Sequence, residues 1–312
     1  MNDRKAAVVT GASGFLGNNM VRKLLQEDFL VYAIIRPQSP RKWRMPNNKD
    51  LIVVEADADD IMKIIPKVPS ADIFYHFAWK GGNNEARKNI GLQLVNVENS
   101  LRSLETAIEI GCSSFVFAGS QAEYGTRNDK LCEGDMCAPV SPYGKAKLEM
   151  WERASELAEK KCLQYTHARL FSVYGTGDNP ATLIPSCITH FLNKKKMPLT
   201  SCQQIWNFLY IEDAINALFE LGKIRDQVSR TQIYNVASKD TRVLRDFIQE
   251  IFRLTGRQGE PVYGSYPANA EGLASIIPST EKIEKELAWK AEISFEEGIK
   301  RMIEEYKRSG NI

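Results

Sequence analysis

Short, uninterrupted apolar runs alternate with longer amphipathic stretches through the first two thirds of the chain. Val8-Val9-Thr10 leads into Gly11. Then come Phe29-Leu30-Val31-Tyr32-Ala33-Ile34-Ile35, Leu51-Ile52-Val53-Val54-Glu55-Ala56, Asp72-Ile73-Phe74-Tyr75-His76 and Ser114-Phe115-Val116-Phe117-Ala118-Gly119-Ser120. Runs without polar alternation are what parallel strands covered on both faces show. Between and after them the spacing turns helical, which predicts helices over about 18–27, 92–110 and 145–159. Strands alternating with helices in this way predict an α/β fold, a Rossmann-type doubly wound parallel sheet.

The junction between the first strand and the first helix carries the first candidate chemistry. Gly11, Gly14 and Gly17 stand three apart there. Gly11 lets the backbone turn sharply, Gly14 leaves no side chain between backbone and a pyrophosphate, and Gly17 lets the helix approach the strand. With Ser13, Phe15 and Leu16 they form a turn that offers helix N–H groups to a dinucleotide. The second strand ends at Arg36, about where such folds place an acidic residue for the adenosine ribose. An arginine there pairs with a 2′-phosphate instead, so NADP(H) is favoured and NAD(H) stays open, with Arg41, Lys42 and Arg44 adding charge. Asp57, before Ala58, suits either an adenine amino group or a helix cap. Ala78, after Phe77, is small enough for a close cofactor approach, and Asn96 is a buried amide that must find partners, bridging its helix to the neighbouring strand.

A second constellation follows the strand that ends at Ser120. Tyr143 and Lys147 are four apart at the start of a helix and share one face. A phenol titrating near 10 is a poor acid–base group at neutral pH, and a lysine one turn away stabilises its phenolate. Ser120 is placed to hold a substrate oxygen, with Gln121 beside it for a sugar hydroxyl.

With these residues in view, the chain resembles the extended short-chain dehydrogenase/reductases, the NAD-dependent epimerase/dehydratase group acting on nucleotide sugars. The resemblance rests on Thr10–Gly17, Phe77-Ala78, Ser120 before Tyr124-Gly125, Tyr143 and Lys147, and Arg169-Leu170-Phe171-Ser172-Val173-Tyr174-Gly175. It continues through Asn207-Phe208-Leu209-Tyr210-Ile211-Glu212-Asp213, Tyr234-Asn235-Val236 and Glu286-Leu287-Ala288-Trp289. It implies Ser120, Tyr143 and Lys147 as the catalytic triad and Phe171 and Ser172 as lining cofactor and sugar. It also implies a smaller, interleaved C-terminal substrate lobe: residues 172–204 with 239–312, against a dinucleotide domain of 1–171 with 205–238. The expected homodimer, through helices 92–110 and 145–159, comes from the same source.

Within that resemblance the residues after Ser120 discriminate. A dehydratase needs an acid and a base there, and Gln121-Ala122 supplies neither, while strand alternation would turn Glu123 away. A ketoreductase acting on a 4-keto-6-deoxy nucleotide sugar with NADPH, similar to the CDP-abequose and CDP-paratose synthases, is the favoured reading, and an NAD-dependent 4-epimerase the alternative. A non-catalytic NADP-binding regulatory or scaffold protein is the third. Trp206 and Tyr266-Pro267 stand where relatives carry substrate arginines, which leaves an anion to Asn179 and the helix start at 183–185. Trp79 and Trp206 are candidate sugar or base contacts.

Composition adds mainly exclusions. With Lys+Arg 41 against Asp+Glu 39, the chain of 312 residues has no basic excess for nucleic acid. It has no apolar stretch near the roughly 20 residues that cross a bilayer, and its polar start, Asn2-Asp3-Arg4-Lys5, has no signal core, so a cytoplasmic location is expected. The six cysteines and three histidines show no metal-ligand spacing.

Overall fold

The computed structural model describes residues 4–224, 229–267 and 274–308; Asn2 and Asp3 of the polar start lie outside the described residues, as do 225–228 of the expected dinucleotide domain and 268–273 and 309–312 of the expected substrate lobe. Seven parallel strands form one sheet: β1 (Ala6–Thr10), β2 (Leu30–Ile35), β3 (Leu51–Glu55), β4 (Ile73–His76), β5 (Ser114–Ser120), β6 (Gln164–Leu170) and β7 (Thr231–Val236). Their order across the sheet is β7-β6-β5-β4-β1-β2-β3, so the direction of winding reverses between β1 and β4. Ligands of such sheets bind at the carboxyl ends of strands beside that reversal.

Both faces are covered, as the apolar runs require. Ala7 and Val9 of β1 face α1 (Phe15–Gln26) through Met20, Val21 and Leu24. Ala6 and Val8 face the other way, into a cluster with Val97, Leu101 and Leu104 of α3 (Ile90–Ile110). The same cluster takes Ala146, Met150 and Ala154 of α4 (Pro142–Lys160).

Two crossovers differ from the regular alternation expected. Between β2 and β3 there is only a single turn of 3₁₀ helix at Lys42–Arg44, and between β3 and β4 a 3₁₀ segment at Ala58–Lys67. Pro37, Pro40 and Pro46 punctuate the first and Pro66 sits inside the second, removing N–H donors that an α-helix would use. The first helix also begins at Phe15, earlier than expected, because extended Gly14 takes the N-cap position.

After β6 the chain leaves the sheet for α5 (Leu183–Leu192), returns for α6 (Ile211–Gly222) and β7, and leaves again for α7 (Leu244–Leu254), α8 (Glu281–Leu287) and α9 (Phe295–Arg308). Strand pairs tie these excursions down, among them Ile205–Asn207 with Thr241–Val243 and Val173–Tyr174 with Leu209–Tyr210. The apolar cluster below α1 runs on through α6 into α5, α7 and α9 without a break.

The glycine turn is a packing constraint as well as a conformational one. Gly11 has φ +65°, and a Cβ there would lie 2.9 Å from the Ala78 nitrogen. A Cβ on Gly17 would collide with the Gly11 carbonyl oxygen. Gly17→Ala should therefore lower unfolding stability by about 1–3 kcal/mol, visible as a lower urea midpoint at unchanged slope.

Candidate active site

The carboxyl ends of β1 and β4 are held together by a buried chain of hydrogen bonds. The Ser100 hydroxyl donates to the Asn96 carbonyl (2.8 Å), so its oxygen accepts from His76 Nε2 (3.0 Å). His76 Nδ1 then accepts from the Thr10 hydroxyl (2.9 Å), and Thr10 accepts from the backbone N–H of Phe77 (3.2 Å) and Ala78 (3.4 Å). Burial pushes the His76 pKa down to about 3, which keeps the ring neutral and this pattern intact. Asn96 finishes the chain by accepting from the Lys80 N–H (2.9 Å) and donating to the Lys80 carbonyl (2.8 Å). It thus bridges α3 to the segment after β4.

Above these strand ends opens a cavity of about 550 Å³, walled by Gly11, Ser13, Gly14, Ala58, Ala78 and Asn96, with Arg36 at one end. Its size suits a small-molecule site. Gly14 caps α1 with no side-chain bond, and the first turn contains no acidic residue, so the helix N-terminus is left for an anion. Phe15 and Leu16 turn their side chains into the core. These residues fit a dinucleotide. Arg36 is exposed and Arg41 lines the cavity beside it, while Ser13 Oγ lies 3.1 Å from Ser39 Oγ. Of the other expected cations, Lys42 is paired with Glu55 (2.7 Å) and Arg44 is turned to the Gly177 carbonyl (3.4 Å).

Two expected cofactor residues are placed differently. Asp57 caps the following turn through the Ala58 N–H and pairs with Lys80 Nζ (3.0 Å), whose hydrogen bond holds its carboxyl below the usual range. Both contacts fall on Oδ1, and the wall of the cavity includes Ala56 and Ala58 but not Asp57. Phe171 is fully buried with Tyr124, Leu131 and Ile276, and so lines neither cofactor nor sugar space.

The packing of α4 on β5 sets Lys147 against the strand that ends at Ser120, with Tyr143 one turn earlier on the same helix. Ser141 caps α4 by accepting from the Gly144 N–H (3.1 Å), and Gly144 lies too close to the Ala122 carbonyl for any side chain. Lys147 Nζ donates to the Ala118 carbonyl (2.8 Å), two residues before Ser120. It is buried against the rings of Trp79 (3.6 Å to the centroid) and Phe117 (4.5 Å). That burial, assisted by the Arg87 charge and opposed by Glu123, pushes the Lys147 pKa down to about 7. Trp79 meets the Tyr143 ring edge-on at 6.0 Å and donates Nε1 to Gln93 (3.0 Å). It lines the first cavity and not the second, a different position from the sugar contact expected.

Ser120 donates to Gln121 Oε1 (2.9 Å) and accepts from the Ala122 N–H (3.2 Å). The residues after it form a 3₁₀ turn, Gln121–Glu123, not a continuing strand, so alternation does not decide where Glu123 goes. Glu123 folds back to accept from the Ser120 N–H (2.7 Å), His167 Nε2 (2.9 Å) and Arg169 Nε (2.8 Å), wholly buried. Burial opposes its ionisation, but the His167 and Arg169 partners outweigh it and hold the carboxyl at about 2. His167 and Arg169 were not recognisable as its partners in the sequence, since they lie on a neighbouring strand, 44 and 46 positions away.

A second cavity of about 620 Å³ lies between the sheet ends and α5, walled by Arg87, Ser172, Thr182, Trp206 and Tyr266. Arg87, on α2 (Asn84–Lys88), has no motif to announce it. Asn179 is outside this wall, its Oδ1 accepting from the Ala181 N–H (3.0 Å). Asp178, which accepts from Thr182 Oγ1 (2.9 Å), brings a carboxyl to the start of α5, and Pro185 removes a donor there. Asn179 is thus turned into its own loop, while Thr182, Leu183 and Ile184 at the start of α5 line the second cavity.

Residues 7–237 match the NAD dependent epimerase/dehydratase family. The chain belongs to that family. It is 23% identical to the CDP-abequose synthase of Salmonella typhimurium, over 96% of this chain and 98% of the relative. It is 26% identical to the dTDP-6-deoxy-L-talose 4-dehydrogenase (NAD(+)) of Aggregatibacter actinomycetemcomitans, over 84% and 95%. The structure of MoeE5 in complex with UDP-glucuronic acid and NAD superposes with a TM-score of 0.87 at 24% identity, covering 98% of this chain and 99% of that one. This epimerase/dehydratase family member is an NAD(P)-dependent enzyme of the extended short-chain dehydrogenase/reductase group, and none of its described helices is long and apolar enough to cross a membrane.

The buried pair under Ser120 has a measurable signature. Glu123→Gln leaves Arg169 without its counter-charge and should cost about 3–5 kcal/mol of stability at pH 7. The folded-state carboxyl pKa, about 2, lies below its ordinary 4.5, so the stabilisation is complete above 4.5 and lost as pH falls toward 2. Urea titrations of both proteins across that window should show the difference shrinking.

Proposed function

We propose that this enzyme reduces a 4-keto-6-deoxy nucleotide sugar with NADP(H). The observation that carries this reading is the disposition of groups at Ser120. Lys147 donates to the Ala118 carbonyl two residues before Ser120 and lies 5.7 Å from the centroid of the Tyr143 ring, while the carboxylate near Ser120, Glu123, is consumed by Arg169, His167 and the Ser120 N–H. Neither Gln121 nor Ala122 can move a proton. Keto reduction needs one proton donor, whereas dehydration needs a further acid–base pair. The relative named for 4-dehydrogenation of a dTDP-6-deoxy sugar supports the position of the chemistry.

Gly11, Gly14 and the α1 N-terminus would hold the pyrophosphate, and Arg36, Arg41, Ser13 and Ser39 a 2′-phosphate. The bound dinucleotide supplies the hydride. Tyr143 gives its proton to the oxygen at the keto carbon, so that a carbonyl becomes a hydroxyl. Ser120, released from Gln121, holds that oxygen in line, and Gln121 takes a neighbouring sugar hydroxyl. Lys147 stabilises the phenolate left behind until solvent reprotonates it. Ser172 and Trp206 line the sugar side. The reading includes a substrate lobe of 172–204 with 239–312 and action in the cytoplasm. It also includes a homodimer through α3, where Ile90, Leu94 and Val95 are exposed.

A 4-epimerase with tightly held NAD is the second reading, favoured by membership in an NAD dependent family. Cofactor analysis separates the two. Protein unfolded after purification should release no NAD, and the folded protein should prefer NADPH over NADH by at least about tenfold, 1.4 kcal/mol. Retained NAD without that preference selects the epimerase. Arg36→Asp should abolish the preference by weakening NADPH selectively. Tyr143→Phe should bind NADPH normally and reduce turnover by about 100-fold or more, the scale of a lost general acid.

A further inference from the structure

The helix α2 brings to Tyr143 a charge that the mechanism above does not use. The Arg87 guanidinium carbon lies 4.2 Å from the centroid of the Tyr143 ring, and the same side chain lines the second cavity. It is held there by design of the surrounding bonds. Asn83 caps α2 by accepting from the Ala86 N–H (2.8 Å). Gln93, almost wholly buried, donates to the Ala86 carbonyl (2.8 Å) while accepting from Trp79 Nε1 (3.0 Å). One amide thus fixes both neighbours of the Tyr143 ring, the guanidinium against its face and the indole against its edge.

A cation against an aromatic face is attracted to the ring's electron density. Ionising the phenol adds a full negative charge to that ring and its oxygen, so the attraction is larger for the phenolate than for the phenol. The charged groups around Tyr143 come from three directions. Lys147, on α4 itself, stands 5.7 Å from the ring centroid but is buried between aromatic rings and titrates near neutrality. Glu123, behind β5, is paired with Arg169, and His76 and His167 beneath are both pushed down by burial. Arg87 comes from α2, and a guanidinium is a permanent charge.

We propose that Arg87 is a positioning residue for Tyr143: it fixes the phenol ring's orientation and stabilises its phenolate, and so sets the pH at which the proton donor is lost. This rests on reading Tyr143 as the proton donor, but its test does not require turnover. The ionisation of Tyr143 is read as the ultraviolet phenolate signal of the whole protein minus that of Tyr143→Phe. In Arg87→Met and in Arg87→Gln, each with its own Tyr143→Phe control, the ionised fraction at a fixed pH below the midpoint should fall by about tenfold or more, one pKa unit. Arg87→Lys should restore part of it. Circular dichroism and NADPH binding identify variants that remain folded.

Unchanged ionisation in folded Arg87→Met or Arg87→Gln overturns the proposal. A displaced phenol titration supports it even if no 4-keto nucleotide sugar is reduced, in which case the functional reading fails and this one stands. Where reduction is observed, the upper limb of the kcat/KM profile should move to higher pH in the same variants, and a limb that stays in place also overturns it.

Discussion

Thr10 has one hydroxyl and three partners, and the cleft is arranged around that fact. The hydroxyl donates to neutral His76 and accepts from two successive N–H groups at the end of β4, where the chain must leave the sheet. Those N–H groups are partly buried beside the Gly11 turn and would otherwise cost about 1–3 kcal/mol each if left unpaired. Satisfying them allows the backbone at Ala78 to lie against Gly11 closely enough that no side chain fits. The first cavity and the position of Trp79 both follow from that approach. Because His76 hands the chain on to Ser100 and Asn96, α3 is registered to the same point.

The two buried charge centres near β5 do opposite things with their desolvation cost. Glu123 and Arg169 are partnered completely, with further bonds from the Ser120 N–H and to the Glu133 carbonyl. A pair so satisfied locks the Ser120 turn and keeps its carboxylate ionised at neutral pH. Lys147 has a carbonyl and two aromatic faces but no carboxylate partner. The cost of its burial therefore appears as a pKa pushed down to about 7. Rigidity is concentrated under Ser120, and protonic responsiveness at Lys147.

The sheet was legible because covering both faces of a parallel strand demands unbroken apolar runs, and the glycine spacing because backbone turns need particular residues. Helix type between β2 and β4 was not, since proline placement in 36–50 and at Pro66 competes with helical periodicity. Ser120, Tyr143 and Lys147 could be picked out because two of them are one helical turn apart. Glu123 was expected to be idle through strand alternation. It is idle as an acid because of three partners, two of them from β6, a contact that sequence spacing does not encode. Arg87 was invisible for a related reason: its helix of five residues makes no strong periodic signal, and its meeting with Tyr143 is purely tertiary. Asn179 illustrates the converse, a residue of the right chemistry absorbed into its own turn.

The two cavities also differ in what makes them. The first is walled by residues at the ends of β1, β2 and β4 and by the turns that follow them, so its shape is a property of the sheet ends. The second is walled by long side chains from separate excursions: Trp206 from a strand paired with Thr241–Val243, Tyr266 from beyond α7, and Arg87 from α2. Arg87 from α2 reaches both this cavity and the Tyr143 face, so one side chain connects the wall of the second cavity to the phenol. A substitution at Arg87 therefore alters the wall of the second cavity and the surroundings of the Tyr143 ring together.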